Sequence, residues 1–279
     1  METKKYEHKI YYANECCVFR KTKELYGGLS NMASGYELKV NGREIPTSEA
    51  LYQACRFPRD PDIQEMIIKE KSPMSAKMIA KANREKSRED WEEIRIEIMR
   101  WCLRVKLAQN FFEFGKLLES TFDKPIVEES SKDDFWGAIR DKQDTNILKG
   151  KNVLGQLLME LRQFYNEKRY SYEMFVVKPL KIPDFKLFGR EIDIIDERET
   201  FISTIKKSIR YFEIENLNNW TPKEKEYSKV ESEQPIVSEP TFDEGKKDKD
   251  TITSKKKTKK SKSTKTKNNY EVQQGTLPL

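Results

Sequence analysis

The chain has 279 residues, of which 36% are apolar and 36% charged, with a formal net charge of +6. Its charge is concentrated: eleven lysines between Lys246 and Lys267, against Asp248 and Asp250, give that stretch +9 and leave about −3 for the rest. His8 is the one histidine, and Cys16, Cys17, Cys55 and Cys102 show no CxxC pair or metal-ligand spacing. With that one histidine near the N-terminus, neither a His-dependent triad nor a His-ligated zinc is expected, and chemistry falls to carboxylate, lysine, arginine and tyrosine side chains.

The opening Met1-Glu2-Thr3-Lys4-Lys5 leads into no apolar run of the kind a signal peptide has. No stretch approaches the roughly 18 consecutive apolar residues of a membrane span. The expectation is a cytoplasmic protein in a reducing setting, with no membrane partner, no metal and no cofactor.

Residues 9–20 are rich in β-formers and predict one or two short strands. Tyr26-Gly27-Gly28-Leu29-Ser30-Asn31 follows as a loop whose glycines bring backbone close to a neighbouring strand or to a phosphate. Tyr36 to Val40, the Asn41-Gly42 turn and Glu44-Ile45 predict a hairpin. Thr47 is a good N-cap, and Pro58 closes a helix of about three turns. Its apolar arc holds Ala50, Leu51, Ala54, Cys55 and Phe57, while Glu49, Tyr52, Gln53 and Arg56 gather on the other side. Glu49 stands in the first turn, where the helix dipole favours a negative charge. A solvated helix face and a reactive face both fit this stripe.

Short amphipathic helices are predicted over residues 62–71 and 75–81, followed by a Lys/Arg-dense run to Asp90-Trp91 that suits either solvent or phosphates. The longest helical signal runs from about Trp91 to Ser120, with Ile94, Ile98, Trp101, Val105, Ala108 and Phe112 on the core face. Cys102, Lys106 and Gln109 share its edge. Lys106 there either snorkels or serves as an electrostatic or nucleophilic group.

Ile126-Val127-Glu128 predicts a strand leading into Asp133-Asp134-Phe135-Trp136-Gly137, which combines adjacent carboxylates with an aromatic pair. Glycine-bounded Gly150-Lys151-Asn152-Val153-Leu154-Gly155 then opens a helix running to Gln163. Residues 171–220 carry a second, smaller patterned region. From Thr221 onward apolar content falls away and disorder is expected, the lysine run being either a non-specific nucleic-acid contact or a solubilising tail. The final Gln274-Gly275-Thr276-Leu277-Pro278-Leu279 is similar to short peptides that dock onto bacterial sliding clamps.

Taken in register, these segments resemble the YbiA-like NADAR family across about residues 10–165. The resemblance is carried by Tyr26 to Met32, Pro46 to Ala54, Ser72-Pro73-Met74 with Ala76-Lys77-Met78, Asp90-Trp91, Met99, Leu103 to Gln109, Ile126 to Glu128, Asp133 to Gly137, and Gly150 to Met159. Ala50, Arg56 and Leu107 depart from the family's usual His, Lys and aromatic residue. The resemblance implies a compact α+β, mostly helical domain, placed over residues 1–170; patterning and composition then make 171–220 an appended element and 221–279 a tail. It implies an N-glycosidase acting on ADP-ribosylated guanine in nucleic acid, reversing the modification made by DarT-type toxins, or on riboflavin-pathway intermediates. A non-catalytic ADP-ribose or DNA reader is the alternative of another class.

Carried over residue by residue, the resemblance makes Glu49 and Asp134 the catalytic carboxylates. Lys106 becomes a Schiff-base or charge-stabilising group. Trp91 and Trp136 become ring contacts, and Arg56, Lys77 and Asn152 ligand-binding residues, together with Tyr26, Gly27, Asn31, Gln53, Gln109 and Gly137. The resemblance implies as partner an ADP-ribosylated nucleic acid, DNA first, or a small ribosyl nucleotide; the C-terminal peptide read above adds a bacterial sliding clamp.

Overall fold

The structure, a computed structural model, describes residues 6–208. The tail from Thr221, its lysine run, the clamp-like peptide and residues 209–220 lie outside the described residues. Strand β1 (Lys9–Tyr12) and strand β2 (Cys17–Phe19) come from the β-rich opening segment. Next are the hairpin strands β3 (Leu38–Val40) and β4 (Arg43–Ile45). Asn41 (φ 51°) and Gly42 (φ 77°) both turn left-handed between them, the geometry that Asn-Gly tolerates best.

Helix α1 (Ser48–Ala54) begins where Thr47 Oγ1 accepts the Ala50 N–H at 3.2 Å. Helices α2 (Pro61–Lys69) and α3 (Pro73–Ala82) each open on a proline whose missing N–H costs nothing there. The long helical signal divides into α4 (Trp91–Gln109) and α5 (Phe111–Glu119), a correction to the single predicted helix. Asn110 makes the break, with φ −123° and ψ 44° and a side-chain amide donating to Glu37 O and Lys106 O. Apolar periodicity continues across such a joint, so periodicity alone does not reveal it.

Strands β5 (Ile126–Ser130), β6 (Ala138–Arg140) and β7 (Ile147–Gly150) precede helix α6 (Val153–Lys168). The sheet order is β1-β7-β6-β5-β2, with β5 parallel to both its neighbours and β7 antiparallel to both of its own. Sequence patterning marks neither β6 nor β7, each being too short to show a period. The chain ends its described part with α7 (Tyr172–Phe175), β8 (Val176–Val177), β9 (Lys186–Leu187), β10 (Arg190–Glu191), β11 (Ile195–Asp196) and α8 (Arg198–Ser208).

The architecture is α+β and mostly helical. Leu51, Phe57, Ile98, Val105, Phe114 and Leu158 are fully buried at the centre of one apolar core. Met174, Phe175 and Leu187 are as deeply buried in the same core, and Phe175 stacks on Phe201 at 4.1 Å. The Trp101 indole N–H donates to Lys178 O at 3.0 Å. The described part of the 171–220 region therefore covers the α4 face of the core. Each large side chain so covered stabilises the fold by about 1.5–3 kcal/mol. On the other side, a Cβ on Gly155 would lie 2.1 Å from Ile126 O, so only glycine lets α6 approach β5 this closely. Glu128 sits two residues further along that strand.

Candidate active site

One cavity of about 630 Å³ opens where α1, the start of α4, the end of β5 and the loop after it converge. From α1 come Glu49, Tyr52 and Gln53, with Arg56 just beyond its end. Glu49 is buried, and its Oε1 accepts the Gln53 amide at 2.9 Å, one helical turn away. The reactive-face reading of that stripe is the one the geometry favours, because Thr47 caps the helix so that Glu49, Tyr52 and Gln53 all turn inward.

Aromatic rings wall the cavity. Tyr52 lies 5.0 Å from Trp91 and 5.8 Å, edge to face, from Trp136. Burial, together with the nearby Glu49 charge, pushes the Tyr52 hydroxyl well above its ordinary value and keeps it a hydrogen-bond donor. The Arg56 guanidinium sits 5.2 Å over Trp91 and bonds Ser87 Oγ at 2.6 Å, and Arg95 lies 4.0 Å over Phe135. Arg20, Lys77 and Arg84 complete a cationic rim.

Glu128 faces this cavity from the middle of β5, half-buried. Burial raises its carboxyl to about 7, and the neighbouring Glu49 charge adds to the effect. Among the described residues its carboxyl has no ion pair, whereas adjacent Glu129 is held by Arg140 at 2.5 Å and Arg20 at 3.4 Å. The cavity thus holds two carboxyl groups in different environments. One carries a proton near neutrality, and the other receives an amide hydrogen bond at a helix start. That division is the usual arrangement for acid and base work in one site.

The loop over residues 133–137 and the glycine-bounded segment over 150–155 form one folded unit. The amides of Lys151, Asn152, Val153 and Leu154 donate to the carbonyls of Asp134, Gly137, Phe135 and Trp136 at 2.6–3.0 Å. The start of α6 is therefore satisfied by backbone. Asn152 is buried and left-handed (φ 48°), donates to Ile126 O at 2.8 Å and accepts the Glu128 N–H at 3.1 Å. It positions Glu128 and does not line the cavity. Gly137 acts similarly, since a Cβ there would come within 2.6 Å of Glu128 O.

Of the residues singled out in the sequence, the structure brings Glu49, Asn31, Gln53, Arg56, Lys77, Trp91 and Trp136 together around the cavity. Asn31 is buried, and its Oδ1 lacks a hydrogen-bond partner among the described residues. Five others stand elsewhere. Asp134 is exposed and bonds His8 at 3.1 Å, which holds its carboxyl below the usual range. Lys106 is fully buried, its Nζ donating to Gly28 O at 2.7 Å and Ser30 O at 3.1 Å. Gln109 bonds Lys39 and Glu197. Tyr26 and Gly27 lie in a short 3-10 turn outside the cavity lining, Gly27 because a Cβ would meet Thr22 backbone at 2.4 Å.

Asp133 lines the cavity in place of Asp134, its Oδ1 accepting the N–H groups of Phe135 and Trp136 at 3.0 and 2.9 Å. Replacement of Asp134 by Asn is accordingly expected to leave turnover unchanged, whereas Asp133→Ala unseats both aromatic residues and raises KM; steady-state kinetics of the two variants check this. Sequence reasoning missed Glu128, Asp133 and Arg95. Arg95 had a signal, standing four residues after Trp91 and so on the same helix face. Among the described residues no three His, Cys, Asp or Glu side chains cluster as a metal site, and no helix is long and apolar enough to cross a membrane.

The cavity brings two carboxyl groups, aromatic walls and a cationic rim together, a lining chemically suited to a charged ligand that carries a ring. The family model described as the NADAR domain matches residues 18–165. N-glycosidase YbiA of Escherichia coli (strain K12) is 38% identical over 145 residues, covering 52% of this chain and 85% of that protein. Riboflavin biosynthesis protein VVA0006 of Vibrio vulnificus (strain YJ016) is 32% identical over 175 residues, 61% of this chain and 45% of that protein. Among solved structures, the NMR structure of E. coli YbiA is 33% identical, with a TM-score of 0.47, covering 56% of this chain and 88% of that one. The chain belongs to the NADAR domain family and is an enzyme of the N-glycosidase class.

Proposed function

We propose that this enzyme hydrolyses the N-glycosidic bond of ADP-ribosylated guanine in DNA, reversing that modification. The observation that carries the reading is the pairing of Glu49 with a Glu128 protonated near pH 7, inside an aromatic cavity rimmed by Arg56, Lys77, Arg84 and Arg95. Glu128 gives its proton to the departing guanine nitrogen as the C–N bond breaks and the bond electrons pass to nitrogen. Glu49 stabilises the oxocarbenium-like ribose and accepts a proton from the attacking water, whose oxygen bonds the anomeric carbon. The products are intact guanine and ADP-ribose. Trp91 and Trp136 offer ring faces for stacking, and the arginines suit a diphosphate. The lysine-rich tail and the clamp-like peptide support a DNA substrate, since both would concentrate the enzyme on DNA.

A second reading, cleavage of a riboflavin-pathway ribosylamine phosphate, is favoured by the names of relatives such as the Vibrio vulnificus protein. A binding-only module fits poorly with a protonated Glu128 beside Glu49 and with membership in an N-glycosidase family. Incubation with a guanine-ADP-ribosylated oligonucleotide, followed by gel shift and mass spectrometry, separates these readings. Release of ADP-ribose with restored guanine is expected. Cleavage of the riboflavin intermediate with the modified oligonucleotide left intact would establish the second reading instead.

A further inference from the structure

On α3, Met74, Lys77, Met78 and Lys81 recur at helical spacing and fall on one stripe of about 100°. All four are exposed, Met74 and Met78 by 55% and 56%, while Ala76 and Ala80 form the buried side. Methionines this exposed are unusual on a helix that already buries its apolar face. From Lys71 through Arg84 no Asp or Glu interrupts the chain. Among the described residues none of Lys71, Lys77, Lys81 and Arg84 forms an ion pair, whereas Arg20, Arg59, Lys69, Arg88 and Arg95 each pair with a carboxylate.

This stripe is continuous with the cavity. Met74, Lys77 and Arg84 line the mouth, whereas Met78 and Lys81 lie on the same face outside it. An acid-free row of cations beside flexible thioethers matches a polyanion carrying apolar rings: phosphates meet the lysines, and base or sugar faces meet the methionines. A peptide or a small nucleotide confined to the cavity would not reach Met78 and Lys81.

We infer that the exposed α3 stripe is the track for the nucleic-acid strand flanking the modified guanine, with Met78 and Lys81 touching that strand beyond the active site. This rests on the proposed nucleic-acid substrate. It makes length of substrate, and not only the modified base, a determinant of the rate.

The test uses the full chain carrying Met78→Ala and Lys81→Glu together, both at exposed positions outside the cavity. Two substrates are compared, an oligonucleotide with one ADP-ribosylated guanine and the same modification on free guanosine monophosphate. The variant is expected to lose about tenfold or more in kcat/KM on the oligonucleotide, with the salt dependence shallower by roughly 0.7 for each phosphate no longer neutralised. On the mononucleotide it should match the unaltered enzyme. Equal rates on the oligonucleotide, or equal losses on both substrates, overturn the track while leaving the catalytic reading intact. An unaltered enzyme that cleaves neither substrate overturns the proposed function and the track together.

Discussion

Glu128→Gln and Glu49→Gln are each expected to lower turnover by about 100-fold or more while the protein remains folded, the size typical of removing one preorganised group from a transition state. Glutamine at position 128 keeps the shape of a side chain anchored by the Asn152–Glu128 main-chain bond at 3.1 Å but has no proton to give to the departing nitrogen. Glutamine at 49 can still meet Gln53 by exchanging amide for carboxylate, yet it carries no charge to set against the developing ribose cation. The two losses differ in substrate dependence. A leaving group that needs no protonation, such as a nicotinamide-like ring already bearing positive charge, should rescue Glu128→Gln and not Glu49→Gln. Comparing single-turnover rates on neutral and cationic leaving groups checks both assignments, and circular dichroism checks folding.

The second large effect concerns stability. Lys106→Ala should destabilise the protein by about 3 kcal/mol, because it deletes a fully buried stem and leaves the Gly28 and Ser30 carbonyls without their donor. Its ammonium also sits 4.4 Å from the Tyr36 ring and 4.2 Å from Phe114. Burial pushes the Lys106 amine down to about 7. A lowered value means the unfolded chain takes up protons that the folded one refuses, so the stability linked to this group is present above the unfolded value of about 10.4 and is lost as pH falls towards 7. The gap between unaltered protein and Lys106→Ala, measured by denaturant unfolding, should therefore widen as pH rises from neutrality. The folded variant should keep turnover within about an order of magnitude, and in the unaltered enzyme borohydride should trap no substrate adduct on Lys106. A variant of unchanged stability and no turnover would instead make this lysine a chemical group.

Local signals carried much of the fold. Asn41-Gly42 specified the hairpin because few other residues accept two left-handed conformations in succession, and Thr47 specified the start of α1 through a cap its own side chain completes. The site was legible only where chemistry and local geometry coincide, as on the α1 stripe from Glu49 to Arg56. Adjacent carboxylates defeat sequence reasoning: Asp133 turns in because two amides lie within reach, and Asp134 is thereby turned out towards His8. Glu128 was invisible for a different reason. Its environment is made by β5, α1 and the start of α6, brought together through Asn152 and Gly155, and no spacing within one element encodes that meeting. Lys106 looked like an edge residue since helical projection shows direction but not the depth of the cover laid over it by the Gly28–Ser30 loop.

The division of labour between the two glutamates is tested most directly by the pH dependence of the single-turnover rate of glycosidic cleavage, followed for the unaltered enzyme and for Glu128→Gln. With Glu128 as proton donor, the unaltered enzyme should lose rate as pH rises through about 7, where that carboxyl gives up its proton, and the variant should be slow and show no such limb. A variant that retained the same descending limb, or an unaltered enzyme whose rate climbed through that range, would contradict it.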